Sequence, residues 1–196
     1  LGLFLITPTQ ADDISDFQIE GMSVEDSLLD YVSKEKILSR KRFFGEGKKY
    51  INKEYSSYYF SSHELNLQSY EMILVEFKSN DPKYIIMSIT GRKFFNDVKD
   101  CYKEQKKIEF EFDSFFKNVI KLPRTTTSYS GDKTGKSKVT HISFFFNDGS
   151  SVQTMCYKWS KERLKINLKH RLSISINTSK YLDWNVSWFE KFRETE

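Results

Sequence analysis

The sequence predicts an α+β domain: an antiparallel sheet of about six strands with helices packed against one face, in the order α-βββ-α-βββ-α. Two stretches carry the sheet. YEMILVEFKSNDPKYIIMSITGRKFF and VTHISFFFNDGSSVQTMCYKWS each read as two apolar, β-branched or aromatic runs around a polar turn. A third stretch carries the main helix. In DVKDCYKEQKKIEFEFDSFFKNV the apolar residues fall three or four apart.

Taken in order, FQIEGMSVEDSLLDYVS reads as a loop entering a helix that runs to about Lys36. Ser23 is its N-cap candidate, with Asp26 at the capping-box position. Glu25 and Asp26 place negative charge at the helix N-terminus, and Val24, Leu28, Tyr31 and Val32 share one face. Gly21 supplies a special backbone angle just before the cap. Residues 49–60 are rich in tyrosine, with partial alternation, and predict a strand. The first hairpin turns at Asn80, Asp81 and Pro82. Asn96 can cap the main helix, whose stripe is Val98, Cys101, Tyr102, Gln105, Ile108, Phe112, Phe115 and Val119. Gln105 alone breaks that stripe. IEFEF has a strand-like alternation, but the helical register holds over about six turns. Pro123 stops the helix, and PRTTTSYSGDKTGKS reads as an exposed loop.

The second hairpin turns at Asn147-Asp148-Gly149. Then Leu164, Ile166, Leu168, Leu172, Ile174 and Ile176 alternate with polar residues, which predicts a strand with one wet face and a bend near His170. Thr178 or Ser179 caps a last helix through Leu182, Val186 and Phe189. The two halves are alike in plan, though not in letters.

Composition bounds the function. The 196 residues include 17 Phe, 11 Tyr and 3 Trp with few Gly and Pro, which fits one ordered body over residues 12–196. Lys+Arg 31 against Asp+Glu 27 gives +4 spread along the chain, unlike the concentrated charge of a dedicated nucleic-acid binder. The opening LGLFLITPTQADD has the apolar core, helix breaker and small residues at −3 (Thr9) and −1 (Ala11) of a cleaved secretory signal. Residues 1–11 are therefore read as a signal remnant, with the mature chain starting near Asp12 in the periplasm or outside the cell. No apolar run approaches the ~20 residues of a membrane span.

Two cysteines, Cys101 and Cys156, follow from that compartment. In a reducing environment they are buried thiols; in an oxidising one they form a disulfide. Cys101 lies on the apolar stripe of the helix, and Cys156 alternates with Val152 and Thr154. If that sheet face packs under the helix, the sulfurs meet between the layers and tie the halves together.

Several tempting motifs dissolve. SGDKTGKS, residues 130–137, has three residues between Gly131 and Gly135 where a phosphate-binding loop needs four. Its Ser130-x-x-Lys133 overlaps Lys133-Thr134-Gly135, which penicillin-binding enzymes carry on separate elements. His63, His141 and His170 stand in no metal-ligand spacing, and no carboxylate pair is marked. No cofactor or metal is predicted. Catalytic groups distant in sequence remain an open alternative, because such sites assemble in space.

Two surface features stand out. Lys158, Lys161, Arg163, Lys165, Lys169 and Arg171 surround Tyr157 and Trp159. The last helix carries Tyr181, Trp184, Trp188 and Phe192 on one side, in addition to its Leu182–Val186–Phe189 side. The candidate binding residues are thus Tyr157, Lys158, Trp159, Lys161, Arg163, Trp184 and Trp188.

DFQIEGMSVEDSLLDY, SITG, GKSKVTHISFFF, and CYKWS followed by LSISI together resemble a family of small exported proteins of marine bacteria with no assigned activity. The resemblance covers most of residues 12–182 and implies export and a single domain. A fainter likeness is to small outer-membrane assembly lipoproteins and beta-lactamase-inhibitor-like domains, which also enter a helix through Gly-Met-Ser/Thr; this chain lacks their lipid-bearing cysteine. The expectation is an exported, non-enzymatic module that binds an envelope protein or an anionic envelope component. An envelope hydrolase with a dispersed site is the first alternative. Binding of nucleic acid or another anionic polymer through residues 157–171 is the second, with nucleic acid not expected outside the cell.

Overall fold

The computed structural model describes residues 13–44, 52–116 and 118–193. The predicted signal remnant, residues 1–11, lies outside them, as do residues 49–51 of the predicted first strand. One eight-stranded antiparallel sheet forms the body. Strands β1 (Arg42–Phe44), β2 (Asn52–Ser61), β3 (Met72–Lys78) and β4 (Ile86–Phe95) make one meander. Strands β5 (Ile120–Ser128), β6 (Lys138–Phe145), β7 (Ser151–Lys158) and β8 (His170–Asn177) make the other. The spatial order is β1-β2-β3-β4-β8-β7-β6-β5, symmetrical about the β4–β8 seam. Helix α1 (Lys34–Arg40) precedes the first meander and α2 (Val98–Phe115) joins the two. Helix α3 (Lys161–Lys165) links β7 to β8, and α4 (Ser179–Arg193) follows β8.

The predicted class holds, but the count and layering change. The two additional strands are β1 and β5. Helices also cover both faces rather than one: α2 packs on β4, β8 and β7, while Tyr181 of α4 reaches the opposite face.

On the α2 face, cross-strand partners form apolar rows. Val75, Ile89, Ile176, Val152 and Phe144 are successive neighbours across five strands. The parallel row is Ile73, Gly91, Ile174, Thr154 and Ile142. Helix α2 lays Cys101, Gln105 and Phe112 on these rows. Gln105, the polar break in the stripe, is fully engaged. Its amide donates to the backbone oxygens of Thr140 (2.9 Å) and Thr154 (3.2 Å), and its oxygen accepts from Arg124 (2.9 Å). A buried side-chain amide is tolerated only when satisfied in this way. The helix cap is Asp97, whose side chain accepts from the Lys99 N–H at 2.8 Å; the neighbouring Asn96 is not the cap. The helix ends at Phe115, which is exposed; Phe116 turns inward instead, packing on Phe112, Phe144 and Phe17.

Three local expectations are corrected. The 23–36 segment is not a continuous helix. Half of the predicted capping box does form, with the Ser23 N–H donating to Asp26 Oδ2 at 2.8 Å. Glu25, however, has φ 72°, outside the helical region. The segment instead runs along the start of β4: Glu25 N–H donates to Ile86 O (2.8 Å), and Ile86 N–H to Asp26 O (2.9 Å). A short 3-10 turn at Leu28–Asp30 follows, and α1 begins only at Lys34. Val24, Leu28 and Val32 are buried as expected, so the apolar pattern was right and the period was not. The special angle at Gly21 is present: Glu20 and Gly21 both have positive φ, closing a tight reversal between Ile19 and Met22.

Pro123 does not end α2; it sits inside β5, where the register slips between Leu122 and Thr125. This edge strand is exposed along nearly its whole length, so it shows no alternation of burial. Proline fits because an edge strand at a bulge has an N–H to spare. Finally, Leu164 and Ile166 are not strand residues. Ser160 caps α3, accepting from the Arg163 N–H at 3.3 Å, and Ile166 is 70% exposed. Strand β8 starts at His170, the predicted bend, and is buried on both faces rather than wet on one. Its polar side faces a ladder of small polar groups: Ser88 donates to Asn177 (2.8 Å), and Thr90 bonds Ser175 (2.8 Å).

Cys101 and Cys156 form the predicted disulfide, both fully buried, with Cα atoms 6.1 Å apart. It pins α2 to β7 across a separation of 55 residues. Loop-closure entropy values such a crosslink at roughly 4 kcal/mol. Cys101→Ser is expected to lower the melting temperature by about 10 °C, measured by calorimetry. An unchanged melting temperature would refute the contribution. Gly91 is a second sensitive point, because a Cβ there would lie 2.6 Å from the Tyr70 ring. Gly91→Ala should cost about 1–3 kcal/mol in urea unfolding. Adding Tyr70→Leu should recover part of that loss, since the obstructing ring is removed.

Candidate binding surface

The chain after Tyr129 and the chain after Tyr157 converge at one end of the sheet. Hairpin pairing starts the convergence, with Lys138 opposite Lys158 and Val139 opposite Tyr157. Beyond the strands, Asp132 organises loop 129–137. Its carboxylate accepts from the Thr134 N–H (3.1 Å) and hydroxyl (2.6 Å), and from the Ser137 N–H (3.0 Å) and hydroxyl (2.5 Å). These donors, led by the Ser137 hydroxyl, hold its pKa well below the usual carboxylate range. The loop that looked like a phosphate cradle thus directs these donors onto its own aspartate.

The loop is then fastened to α3. Ser160 N–H donates to Ser137 Oγ at 3.0 Å, Arg163 donates to Gly131 O, and Lys136 pairs with Glu162 at 3.4 Å. Between the two segments three rings stack. Tyr129 meets Tyr157 and Trp159 edge-on at 6.0 and 5.1 Å, while Tyr157 lies parallel to Trp159 at 5.5 Å. Two guanidiniums cover this stack: Arg163 over Tyr129 and Trp159, and Arg171 over Tyr157 at 4.0 Å. Such cation–π contacts hold a guanidinium plane in place without neutralising it.

The predicted residues therefore fall into distinct positions. Trp159 is 6% exposed; its indole N–H donates to Lys169 O at 2.7 Å, so it is the floor of the cluster. Tyr157 and Arg163 are half-buried, and Lys158 and Lys161 are exposed, with Lys165 and Lys169 exposed beside them. Loop 129–137 adds Lys133 and Lys136, exposed as the loop reading of PRTTTSYSGDKTGKS expects. Trp184 and Trp188 are not part of this surface. They lie on α4, which leaves β8 at Asn177, the end opposite His170 and thus roughly 20 Å away along the strand. Trp184 stacks on Tyr55 at 4.2 Å and Trp188 is half-buried. The side chains of Phe189 and Phe192 lie outside the described residues, and Val186 is exposed.

Helix α4 is also held by a buried acid. Tyr181 donates to Glu76 Oε2 at 2.5 Å on the face opposite α2. Burial pushes the Glu76 carboxyl up from its ordinary value, against the opposing effect of that hydrogen bond. His170 is buried as well; its Nδ1 accepts from the Trp159 N–H at 3.2 Å, and burial lowers its pKa. His63 is exposed and His141 half-buried in β6. Among the described residues, no histidine hydrogen-bonds a serine or carboxylate, and no group of three metal-ligating side chains assembles.

The Glu76 environment gives a signed pH dependence. Its folded pKa exceeds the unfolded value, so its contribution is complete below the ordinary carboxylate range and is lost as pH rises through the raised pKa. Urea midpoints from pH 4 upward should show this decline in the native chain, and Glu76→Gln should flatten it. An equal slope in both proteins would refute the assignment.

Comparison with known proteins finds no matching family model, no matching curated protein and no matching solved structure.

Proposed function

We propose that this chain is an exported, non-enzymatic binding module that engages an anionic component of the bacterial cell envelope. The observation that carries the reading is that exposed Lys133, Lys136, Lys158, Lys161, Lys165 and Lys169 are all carried by the two segments that meet at the Tyr129–Tyr157–Trp159 cluster. Within these segments, Glu162 is paired with Lys136 and Asp132 is consumed by its own loop, so the surplus is positive. A rigid aromatic floor with flexible cations at its rim suits a polyanion of irregular sequence, since exposed lysines attract charge without demanding a fixed geometry.

Export is supported by the signal-like opening and by the disulfide, which persists in oxidising compartments. No described helix is long and apolar enough to cross a membrane. The family resemblance of residues 12–182 points the same way.

The test is retention on a heparin resin as a generic polyanion. The Lys158→Glu/Lys161→Glu double variant should bind at least about tenfold more weakly at 50 mM salt. A Lys83→Glu/Lys106→Glu control carries the same net charge and should remain near the native value. Equal loss in both would reduce the effect to net charge and overturn the assigned surface. Tight binding to a labelled single-stranded oligonucleotide, persisting at physiological salt, would replace the envelope partner with nucleic acid.

A further inference from the structure

A second concentration of cations lies on the first meander, away from the lysine-bearing segments. The register of the sheet assembles it. Met72 pairs with Arg92 on one side and with Ser61 on the other, so Tyr59, Met72 and Arg92 share one face of β2, β3 and β4. Arg42 of β1 pairs with Ser57, two residues before Tyr59, and stands on that face too. It is the face opposite α2, because Ile73 and Gly91, the next residues along β3 and β4, belong to the row under α2. Arg42, Tyr59, Met72 and Arg92 line one open cleft of about 570 Å³, whose remaining wall is Ser39, Arg40 and Lys41 at the end of α1.

The cleft is lined by four cations and by no acid. Arg40 is already engaged: it donates to Glu64, which also pairs with Lys36 at 3.3 Å, and it lies over the Tyr58 ring at 5.5 Å. Lys41, Arg42 and Arg92 take no part in the ion pairs of the described residues. Arg92 is the most confined of them. It is half-buried on β4, the fourth strand from the β1 edge. Its guanidinium lies 5.6 Å from the centre of the Tyr59 ring, and its Nη1 donates to the Met72 sulfur at 3.7 Å, a weak acceptor. Its Nε is buried and finds no acceptor among the described residues. A covered donor on a charged group is costly, and a bound ion or water is its ordinary explanation.

The plain alternative is a solvated basic edge. Charges on an edge strand discourage pairing with a foreign sheet. That accounts for the exposed Arg42 and for Lys41 beside it. It leaves Arg92 unexplained, because a half-buried arginine three strands inside the edge guards nothing.

We infer that this cleft binds a phosphate monoester, with Arg42 and Arg92 as guanidinium forks and Lys41 beside them. Three cations without a carboxylate suit more than the single charge of a carboxylic acid. A phosphate monoester carries a charge of about −1.5 to −2 at neutral pH, and its three terminal oxygens accept arginine forks. The cleft is larger than one oxyanion needs and falls in the range of small-molecule sites, roughly 300–1,000 Å³. Tyr59 and Met72 thus leave an apolar surface for the group that carries the phosphate. That group is either a small soluble molecule or a lipid. The cleft shares no residue with the lysine-bearing surface, so either site can fail without the other.

The test is calorimetric titration of the full chain with glycerol 3-phosphate, at ionic strength matched with sodium chloride. The native chain should bind the ester, and Arg42→Gln should weaken that binding about tenfold or more. Arg92→Gln should do the same; should it fail to fold, the exposed Arg42 decides. The Lys83→Glu/Lys106→Glu variant, a larger change in net charge, should stay near the native value. A loss there equal to that in Arg42→Gln would reduce the effect to net charge and overturn the site. A second arm sediments the chain with phosphatidylcholine vesicles, with and without phosphatidic acid, whose headgroup is a phosphate monoester. Capture that needs phosphatidic acid and is lost in Arg42→Gln identifies a lipid headgroup. Binding of the soluble ester alone identifies a free phosphate ester; both support the site. Binding of neither, or affinity undiminished in Arg42→Gln, overturns the proposal.

Discussion

The pairing of β8 with β4 makes one sheet out of two meanders. Without it, each meander would end in an open central edge and α2 would have no continuous surface to cross. The seam is antiparallel over eight residue pairs, from Ser88–Asn177 to Phe95–His170. Its two faces do different work. Toward α2 it contributes Ile89, Ile174 and Ile176 to the apolar rows, with Gly91 leaving room for the Tyr70 ring. On the other face it carries the polar ladder of Ser88 with Asn177 and Thr90 with Ser175, which starts at the docking region of α4. The disulfide reinforces this from one side, since it fixes α2 to β7, the neighbour of β8.

Helix α4 and the basic end of the sheet depend on the same seam but from opposite ends of β8. That separation explains why Trp184 and Trp188 do not extend the aromatic floor built on Trp159. Tyr181, Trp184, Tyr55 and Met87 form a small cluster of their own around the buried Glu76. The chain thus keeps a second, partly polar packing layer in addition to the apolar core under α2.

Much of this architecture was legible in the letters. Both hairpins, the main helix and the disulfide follow from apolar period, turn residues and the placement of Cys101 and Cys156 on facing apolar sides. The errors have physical causes. Residues 23–33 have helical spacing and a partial capping box, yet backbone pairing with residues 84–86 overrides them. Strand β5 buries neither face, so it leaves no alternation to read, and Pro123 looks like a stop when it marks a bulge. The period-2 pattern from Leu164 onward is genuine only from His170; before that point Ser160 nucleates a helix turn. The basic–aromatic segment was visible as residues 157–171, but the contribution of loop 129–137 was not. Its joining depends on Asp132 and Ser137 making contacts that no spacing rule encodes.

The position of β8 in the chain has a consequence for the order of assembly. Among the described strands it is the last to be synthesised, yet it occupies the middle of the sheet. A ribosome delivering the chain from its N-terminus releases β4, which ends at Phe95, well before β8, whereas β7 ends at Lys158, just ahead of His170. During that interval both strands offer unpaired backbone edges, which any extended segment can occupy. In the order of synthesis β8 is thus the late central strand that fills the gap between β4 and β7. Rapid formation of the α2–β7 crosslink, whose cysteines are both already present, would hold that gap at the right width.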